Sequence, residues 1–232
     1  MNFLFDLDST LLQMDQDLFI QKYTQALQEF FAKKGKDVKK YMTALFKGVE
    51  KMIINSSDKS NEVVFFDSFV KETGEDEVYI KDLLLEFYQN EFHKIGQIVS
   101  FNPLSRKIIE TLIKKGHKIV CATTPIFPEI ATFERLRWAG LNPDMFEFVT
   151  TYEHFSGAKP NLHYYQQVLK KASFNPIDTL MVGNDVKEDL VIQKLGVETY
   201  LITDYLINKD NIEYQTKYKS TLNELYDFVI NL

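Results

Sequence analysis

The chain has 232 residues, 45% of them hydrophobic and 26% charged, and a formal net charge of −6. That length can bury a full core, as one domain or as one domain carrying a smaller insert. The acidic balance argues against non-specific binding to nucleic acid or a membrane surface, but allows an anionic substrate where lysine, metal and backbone N–H groups are concentrated. The single cysteine, Cys121, excludes an internal disulfide and any Cys-rich metal site, and its apolar run Lys118-Ile119-Val120-Cys121-Ala122 makes it a small core residue. No apolar run approaches a membrane span. The N-terminus lacks a basic region followed by an apolar one, and strand-like sequence from residue 3 leaves no room for a removable leader. A cytoplasmic protein, monomeric by default, is the expectation.

The first dozen residues organise the rest. Phe3, Leu4, Phe5 and Leu7 read as a short buried strand that runs into two carboxylates, Asp6 and Asp8, and a hydroxyl pair, Ser9 and Thr10. Burying a bare carboxylate is expensive unless a cation or hydrogen-bond donors meet it. Two acids at a strand exit therefore call for something positive between them, a divalent metal being the simplest choice, or else form a solvated acidic turn.

From Asp15 to Ile95 the spacing is helical. Leu18, Phe19, Tyr23, Leu27, Phe30 and Phe31 form one amphipathic stripe, and Val38, Tyr41, Met42, Leu45, Phe46 and Val49 form another after the Lys33-Lys34-Gly35-Lys36 break. A polar loop over Asn55 to Ser60 precedes two more helices, Val63 to Val70 and Val78 to Phe92. The stripes read as helix-bundle core. The lysines from Lys33 to Lys40 read as a solvated turn between helices, with contact to a substrate's remote phosphate as the alternative.

Beyond Asn102-Pro103 strands and helices alternate. Helices are expected over Leu104 to Lys115, Glu129 to Ala139, Asn161 to Ala172, Lys187 to Leu195 and Thr221 to Ile230, several stopped by glycine. Strands are expected over Lys118 to Ala122, Phe146 to Thr150, Thr179 to Val182 and Thr199 to Ile202. This alternation means βαβ units and a parallel sheet that the opening strand must join. The expected fold is therefore α/β: a Rossmann-like parallel sheet flanked by helices (residues 1–14 and 97–232), with an inserted helical bundle (15–96) over the strands' C-terminal ends, where ligands bind in open sheets.

Four places put polar groups just past a strand's C-terminal end: Asp6/Asp8/Thr10, Thr123/Thr124, Lys159, and Gly183-Asn184-Asp185 with Asp189. In a parallel sheet these ends share one edge. Acids on both sides of a point suit an octahedral Mg²⁺, and a lysine and a hydroxyl nearby would hold the remaining charge of a phosphate. His93, His117, His154 and His163 show no metal spacing and read as surface or helix-end residues; Trp138, after Arg137 on an amphipathic helix, reads as core packing.

These residues resemble the motifs of the haloacid dehalogenase-like hydrolases with a helical cap. Asp6-Leu7-Asp8-Ser9-Thr10 is similar to that family's DxDxT, Thr123 to its second motif, Lys159 in Ala158-Lys159-Pro160 to its third, and Gly183-Asn184-Asp185 with Asp189 to its acidic fourth. The resemblance covers essentially the whole chain. It implies that Asp6 is a nucleophile forming an aspartyl-phosphate, and that Asp8 is general acid and then base. It implies that Thr123 and Lys159 hold the phosphoryl group, that Asp6, the carbonyl of Asp8 and Asp185 bind Mg²⁺, and that Asp189 orients its neighbours. Thr124 stands where the family often has Asn, and Asn184 beside Asp185 leaves the fourth-motif ligand open between the two; Thr10 either joins the site or only closes the turn. The implied activity is hydrolysis of a small phosphorylated metabolite. Phosphomutase, 2-haloacid dehalogenase and a non-catalytic phosphometabolite-binding protein are the alternatives. Asp8 counts against a dehalogenase, since a departing halide needs no proton, and no bundle lysine can be assigned to a phosphonatase's imine.

Overall fold

The computed structural model describes residues 1–232. Five strands, β1 (Asn2–Phe5), β2 (Lys118–Cys121), β3 (Thr179–Gly183), β4 (Glu198–Ile202) and β5 (Tyr218–Ser220), form one parallel sheet in the order β2-β1-β3-β4-β5. β1 lies between β2 and β3, pairing Phe5 with Cys121 on one side and Val182 on the other. Side chains alternate across the pleat: Phe3 and Phe5 enter one core, and Leu4 enters the smaller core on the opposite face.

Between β1 and α5 (Pro103–Lys114) the chain forms α1 (Gln16–Lys33), α2 (Val38–Ile53), α3 (Asn61–Thr73), α4 (Glu77–Asn90) and a 3₁₀ segment, Phe92–Ile98. The N-caps Asp15, Asp37, Ser60 and Asp76 each accept the N–H three residues on, so these helices start where the sequence supplies a short polar acceptor. The core side of the fold continues with α6 (Glu129–Trp138), α7 (Leu162–Ala172) and α8 (Leu222–Ile230), the last begun by a Thr221–Glu224 capping box. No helix is long and apolar enough to cross a membrane.

Three expectations are corrected. Phe146 to Thr150 is not a full strand: it adds a single parallel bridge at Val149, with Glu147 N–H to Ile119 O, Phe148 O to Cys121 N–H, and Thr150 N–H to Cys121 O along the β2 edge. The segment Lys187 to Leu195 is a turn followed by a 3₁₀ helix over Leu190–Leu195, with the Asp185 side chain accepting the N–H groups of Lys187 and Glu188 at its start. β5 is unforeseen; its three residues are held by main-chain pairing with β4 rather than by an apolar pattern.

The helices between β1 and α5 pack on one another, Phe31 against Tyr41 at 5.1 Å and Phe30 against Phe87 at 5.5 Å, and this packing is continuous with the sheet's core. Phe31, Tyr41, Phe69 and Phe87 belong to the same continuous apolar cluster as Phe3, Phe5 and Ile109. Trp138 packs into it as expected, stacked on Phe92 at 5.3 Å. Polar fastening adds to this. Asn61, fully buried at the start of α3, donates to Pro125 O (2.9 Å) and Gly157 O (2.8 Å), and its side-chain oxygen accepts from Gly157 N–H (2.9 Å) and Asn55 (3.0 Å). One side chain thus ties the helical block to the loops that carry Thr124 and Lys159. Asn61→Ala strands several buried backbone groups at about 1–3 kcal/mol each. Denaturant unfolding is expected to show a loss of about 3 kcal/mol or more, against a few tenths for Asn90→Ala on the exposed end of α4.

Candidate active site

Asp6 leaves β1 directly, its N–H bonded to Val182 O (2.9 Å). Its carboxylate is buried rather than solvated, so the acidic-turn alternative falls. The two motif acids take separate cationic partners. Asp6 Oδ1 accepts from Lys159 Nζ at 2.6 Å, and the same ammonium donates to Asp189 Oδ1 at 2.7 Å. Asp8 Oδ2 pairs instead with the guanidinium of Arg135, a fully buried residue of α6 lying over the Phe127 ring; Asp8 Oδ1 is buried with no partner.

Local turns aim these groups. Ser9 takes a left-handed conformation (φ 63°) while Leu12 N–H returns to Leu7 O, which turns the chain back beneath the strand end. Thr10 is more than a turn closure: its hydroxyl lies 3.0 Å from Asn184 Oδ1 and 3.3 Å from Asp6 Oδ2. Asp189 Oδ2 accepts the N–H groups of both Asn184 (3.0 Å) and Asp185 (2.9 Å), bending the chain after β3. Gly183 is required there, since a Cβ would stand 2.2 Å from Asp189 Oδ2. Asp185 Oδ1 accepts from the N–H groups of Lys187 and Glu188, and Asn184 gives its amide to Tyr205 O.

One cavity of about 280 Å³ receives all of this. Its floor carries Asp6, Asp8, Thr123, Thr124, Lys159, Asn184, Asp185, Glu188 and Asp189, so every expected site residue lines it except Thr10, which reaches it through Asp6 and Asn184. The Thr123 carbonyl is held by Thr150 (2.5 Å) and Tyr164 (2.9 Å), leaving its hydroxyl to the cavity; Thr124 donates to Glu188 at 3.1 Å. The walls are Gln16, Phe19, Ile20, Tyr23 and Thr24 of α1, Leu45, Phe46, Val49 and Ile53 of α2, and Ile126 and Phe127. None of the four histidines lines it. The lysines of the α1–α2 turn are spent elsewhere: Lys34 on Glu86, Lys36 on Glu75 and Lys40 on Thr73 O.

Negative charge exceeds positive. Burial, followed by the repulsion of Asp189 and Asp8, outweighs Lys159 and pushes the Asp6 carboxyl up to about 8. Glu188 is pushed to about 7, chiefly by burial, and Asp185 is raised for the same reason. No three His, Cys, Asp or Glu side chains form a ready-made metal cluster.

A haloacid dehalogenase-like hydrolase model matches residues 3–202. The chain belongs to that family. It is similar, at 28% identity over 99% of its length and 96% of the relative's, to a glyceraldehyde 3-phosphate phosphatase of Methanocaldococcus jannaschii. Among solved structures it is similar to a HAD phosphatase from Thermococcus onnurineus (TM-score 0.59, 19% identity, 98% and 97% of the two chains). It also resembles an L-2-haloacid dehalogenase from Xanthobacter autotrophicus (TM-score 0.58, 13% identity, 100% and 98% covered). At those identities the structures establish the hydrolase fold alone.

Arg135 and Glu188 are the site residues the sequence reading missed. Arg135 did leave a signal: it falls on the buried stripe Ala131, Thr132, Leu136 of α6, where a charge needs a partner. Breaking a buried ion pair from one side costs about 3–5 kcal/mol, whereas removing both charges is far milder. Asp8→Ala and Arg135→Met are each expected to destabilise by that order, and the double variant to recover at least half the loss in a chemical-denaturation cycle.

Proposed function

We propose that the chain is a Mg²⁺-dependent phosphatase that hydrolyses a small phosphate monoester through an aspartyl-phosphate on Asp6. The observation that carries this reading is the buried bridge Asp6–Lys159–Asp189 opening onto the same cavity as Asp8: a carboxylate nucleophile beside a fixed ammonium. An Asp6 oxygen attacks phosphorus, the bond to the ester oxygen breaks, and that oxygen takes a proton from Asp8. Asp8 then takes a proton from water, whose oxygen attacks the same phosphorus and releases Asp6 and inorganic phosphate.

Lys159 and the Thr123 hydroxyl hold phosphoryl oxygens, with Thr124 beside them through Glu188. Asp189 fixes the Lys159 ammonium, and Thr10 with Asn184 fixes the second oxygen of Asp6. Arg135 keeps Asp8 aimed along its own axis. The helical block over residues 15–96 acts as the cap that closes the cavity and limits water. A monomeric cytoplasmic enzyme meeting a dissolved ester belongs to the same reading.

The donor set fits a hard divalent cation. Burial, with Asp189 and Asp8 adding repulsion, holds Asp6 up to about 8, and Asp185 Oδ2 makes no bond within the chain. Asp6, the carbonyl of Asp8 and Asp185 would hold Mg²⁺, a shell that needs only two side chains. When bound, the ion supplies Lewis-acid charge to the phosphoryl oxygens. The relative named as a phosphatase supports the reaction class, and the presence of Asp8, a second acid two residues after Asp6, supplies a group that halide departure would not use.

Purified protein with Mg²⁺ is expected to release phosphate from p-nitrophenyl phosphate and from members of a phosphate-ester panel. Asp6→Asn lowers turnover by about 10³-fold or more while the circular dichroism spectrum stays unchanged; a near-wild-type rate would remove Asp6 as nucleophile.

Metal and proton compete for Asp6. A carboxyl raised on folding binds its proton more tightly in the folded state, so the metal-free protein loses stability as pH rises from the unfolded value near 4 toward about 8. The Tm in chelator is expected to fall across that window. The rise in Tm on adding Mg²⁺ is expected to be larger at pH 8 than at pH 5; a rise independent of pH would take Asp6 out of the metal shell.

A further inference from the structure

The reaction centre occupies only the floor of the cavity, and the walls carry separate information. α1 contributes Ile20 and Tyr23, one helical turn apart, and α2 contributes Leu45, Phe46, Val49 and Ile53 at helical spacing. Phe46, expected in the core stripe, is instead 53% exposed, Ile20 is 47% exposed and Ile53 38% exposed, yet all three line this one hollow. Large apolar side chains left wet around a concave site are a costly arrangement unless something apolar covers them.

Charge in the cavity points the same way. Lys159 is the only cation among the lining residues, and it is already bracketed by Asp6 and Asp189. Every other charged lining group is acidic. The helical block brings no ammonium or guanidinium to the cavity lining; Lys47, next to Phe46 on α2, is paired with Glu72. Its polar wall groups are few and mostly engaged. The Tyr23 hydroxyl is bonded to Tyr88 (2.8 Å) and the Thr24 hydroxyl to Ile20 O (2.8 Å), which leaves the Gln16 amide. A carboxylate or second phosphate on the departing half of a substrate would meet apolar walls and an acidic floor, with one neutral amide and no free cation to replace its water.

Given the phosphatase reading of the floor, we infer that the substrate is a phosphate monoester whose leaving alcohol is uncharged and largely apolar, seated between α1 and α2 against Ile20, Phe46, Val49 and Ile53. The phosphoryl group alone supplies the substrate's charge. Esters carrying a carboxylate or a second phosphate are excluded by the walls, not by the chemistry.

Matched esters test this in the presence of Mg²⁺. Phenyl phosphate is expected to exceed 4-carboxyphenyl phosphate in kcat/KM by at least about tenfold, since an unpaired buried charge is strongly disfavoured. The series from propyl to pentyl phosphate is expected to rise about threefold to fourfold per methylene. Ile20→Lys or Phe46→Lys is expected to shrink or invert the carboxylate discrimination while flattening the alkyl series. Equal kcat/KM for both members of the pair, or a flat alkyl series in the wild type, overturns the apolar-alcohol assignment and leaves the phosphatase reading standing. If no ester is turned over, the phosphatase reading fails by itself. The same pair titrated onto the unreactive protein by calorimetry still decides the wall chemistry: tenfold tighter binding of phenyl phosphate supports it, and equal or reversed affinity overturns it.

Discussion

A single ammonium shared by two buried carboxylates is the interaction on which the rest of the site depends. Lys159 is held between Asp6 and Asp189 with almost no access to water, and none of the three could be buried alone. Its position constrains three separate loops at once: the exit of β1, the loop that follows Gly157, and the turn after β3. Asp189 satisfies that lysine with one oxygen and two backbone N–H groups with the other, so the bend that presents Asn184 and Asp185 and the placement of the lysine are one event. Gly183 permits it by having no Cβ where Asp189 must lie.

The second buried pair does a different job. Asp6 and Asp8 are two residues apart on an extended chain end, and like charges that close would oppose each other. Giving them different cations, from different elements, separates their roles. Asp6 is drawn toward the β3 side by Lys159, and Asp8 toward α6 by Arg135. The lining carries more carboxylates than cations, and burial, ahead of their mutual repulsion, raises Asp6, Asp185 and Glu188. On the phosphatase reading proposed above, a phosphate ester alone would add to the repulsion, and a cation arriving with it would offset that.

Much of this was legible in the sequence because it follows from local rules. A parallel sheet gathers the C-terminal ends of its strands on one edge, so polar residues placed just after Phe5, Ala122 and Gly183 had to converge, whatever the details of packing. The helices of the block were legible from apolar spacing, although their capping residues Asp37, Ser60 and Asp76 went unread. What was not legible depends on long-range partners. The strand expected at Phe146 to Thr150 has the right apolar content, but it lies outside β2 as an edge and pairs through only a few main-chain bonds. β5 exists because β4 offers an unpaired edge, not because Tyr218-Lys219-Ser220 alternates. Arg135 reads as one of several charges on an amphipathic helix until the buried Asp8 opposite gives it a reason to face inward.

The same logic explains why aromatic stripes in α1 and α2 could be read only in part as core. Helical spacing specifies a face, not what the face meets. On α1, Leu27, Phe30 and Phe31 turn into the apolar cluster shared with the sheet, whereas Ile20 two turns nearer the site reaches the cavity; on α2, Met42 and Met52 are buried while Phe46 and Ile53 stand at the cavity wall. The insertion point dictates this division. α1 begins just after the β1 acids and carries its first turns over the strand ends, whereas α2 brings its middle and last turns to the cavity with Leu45, Phe46, Val49 and Ile53. A wall residue such as Phe46 shapes the space above Asp6 without touching the Lys159 bridge beneath it, so on the proposed reading the choice of leaving group is separable from the chemistry on one scaffold.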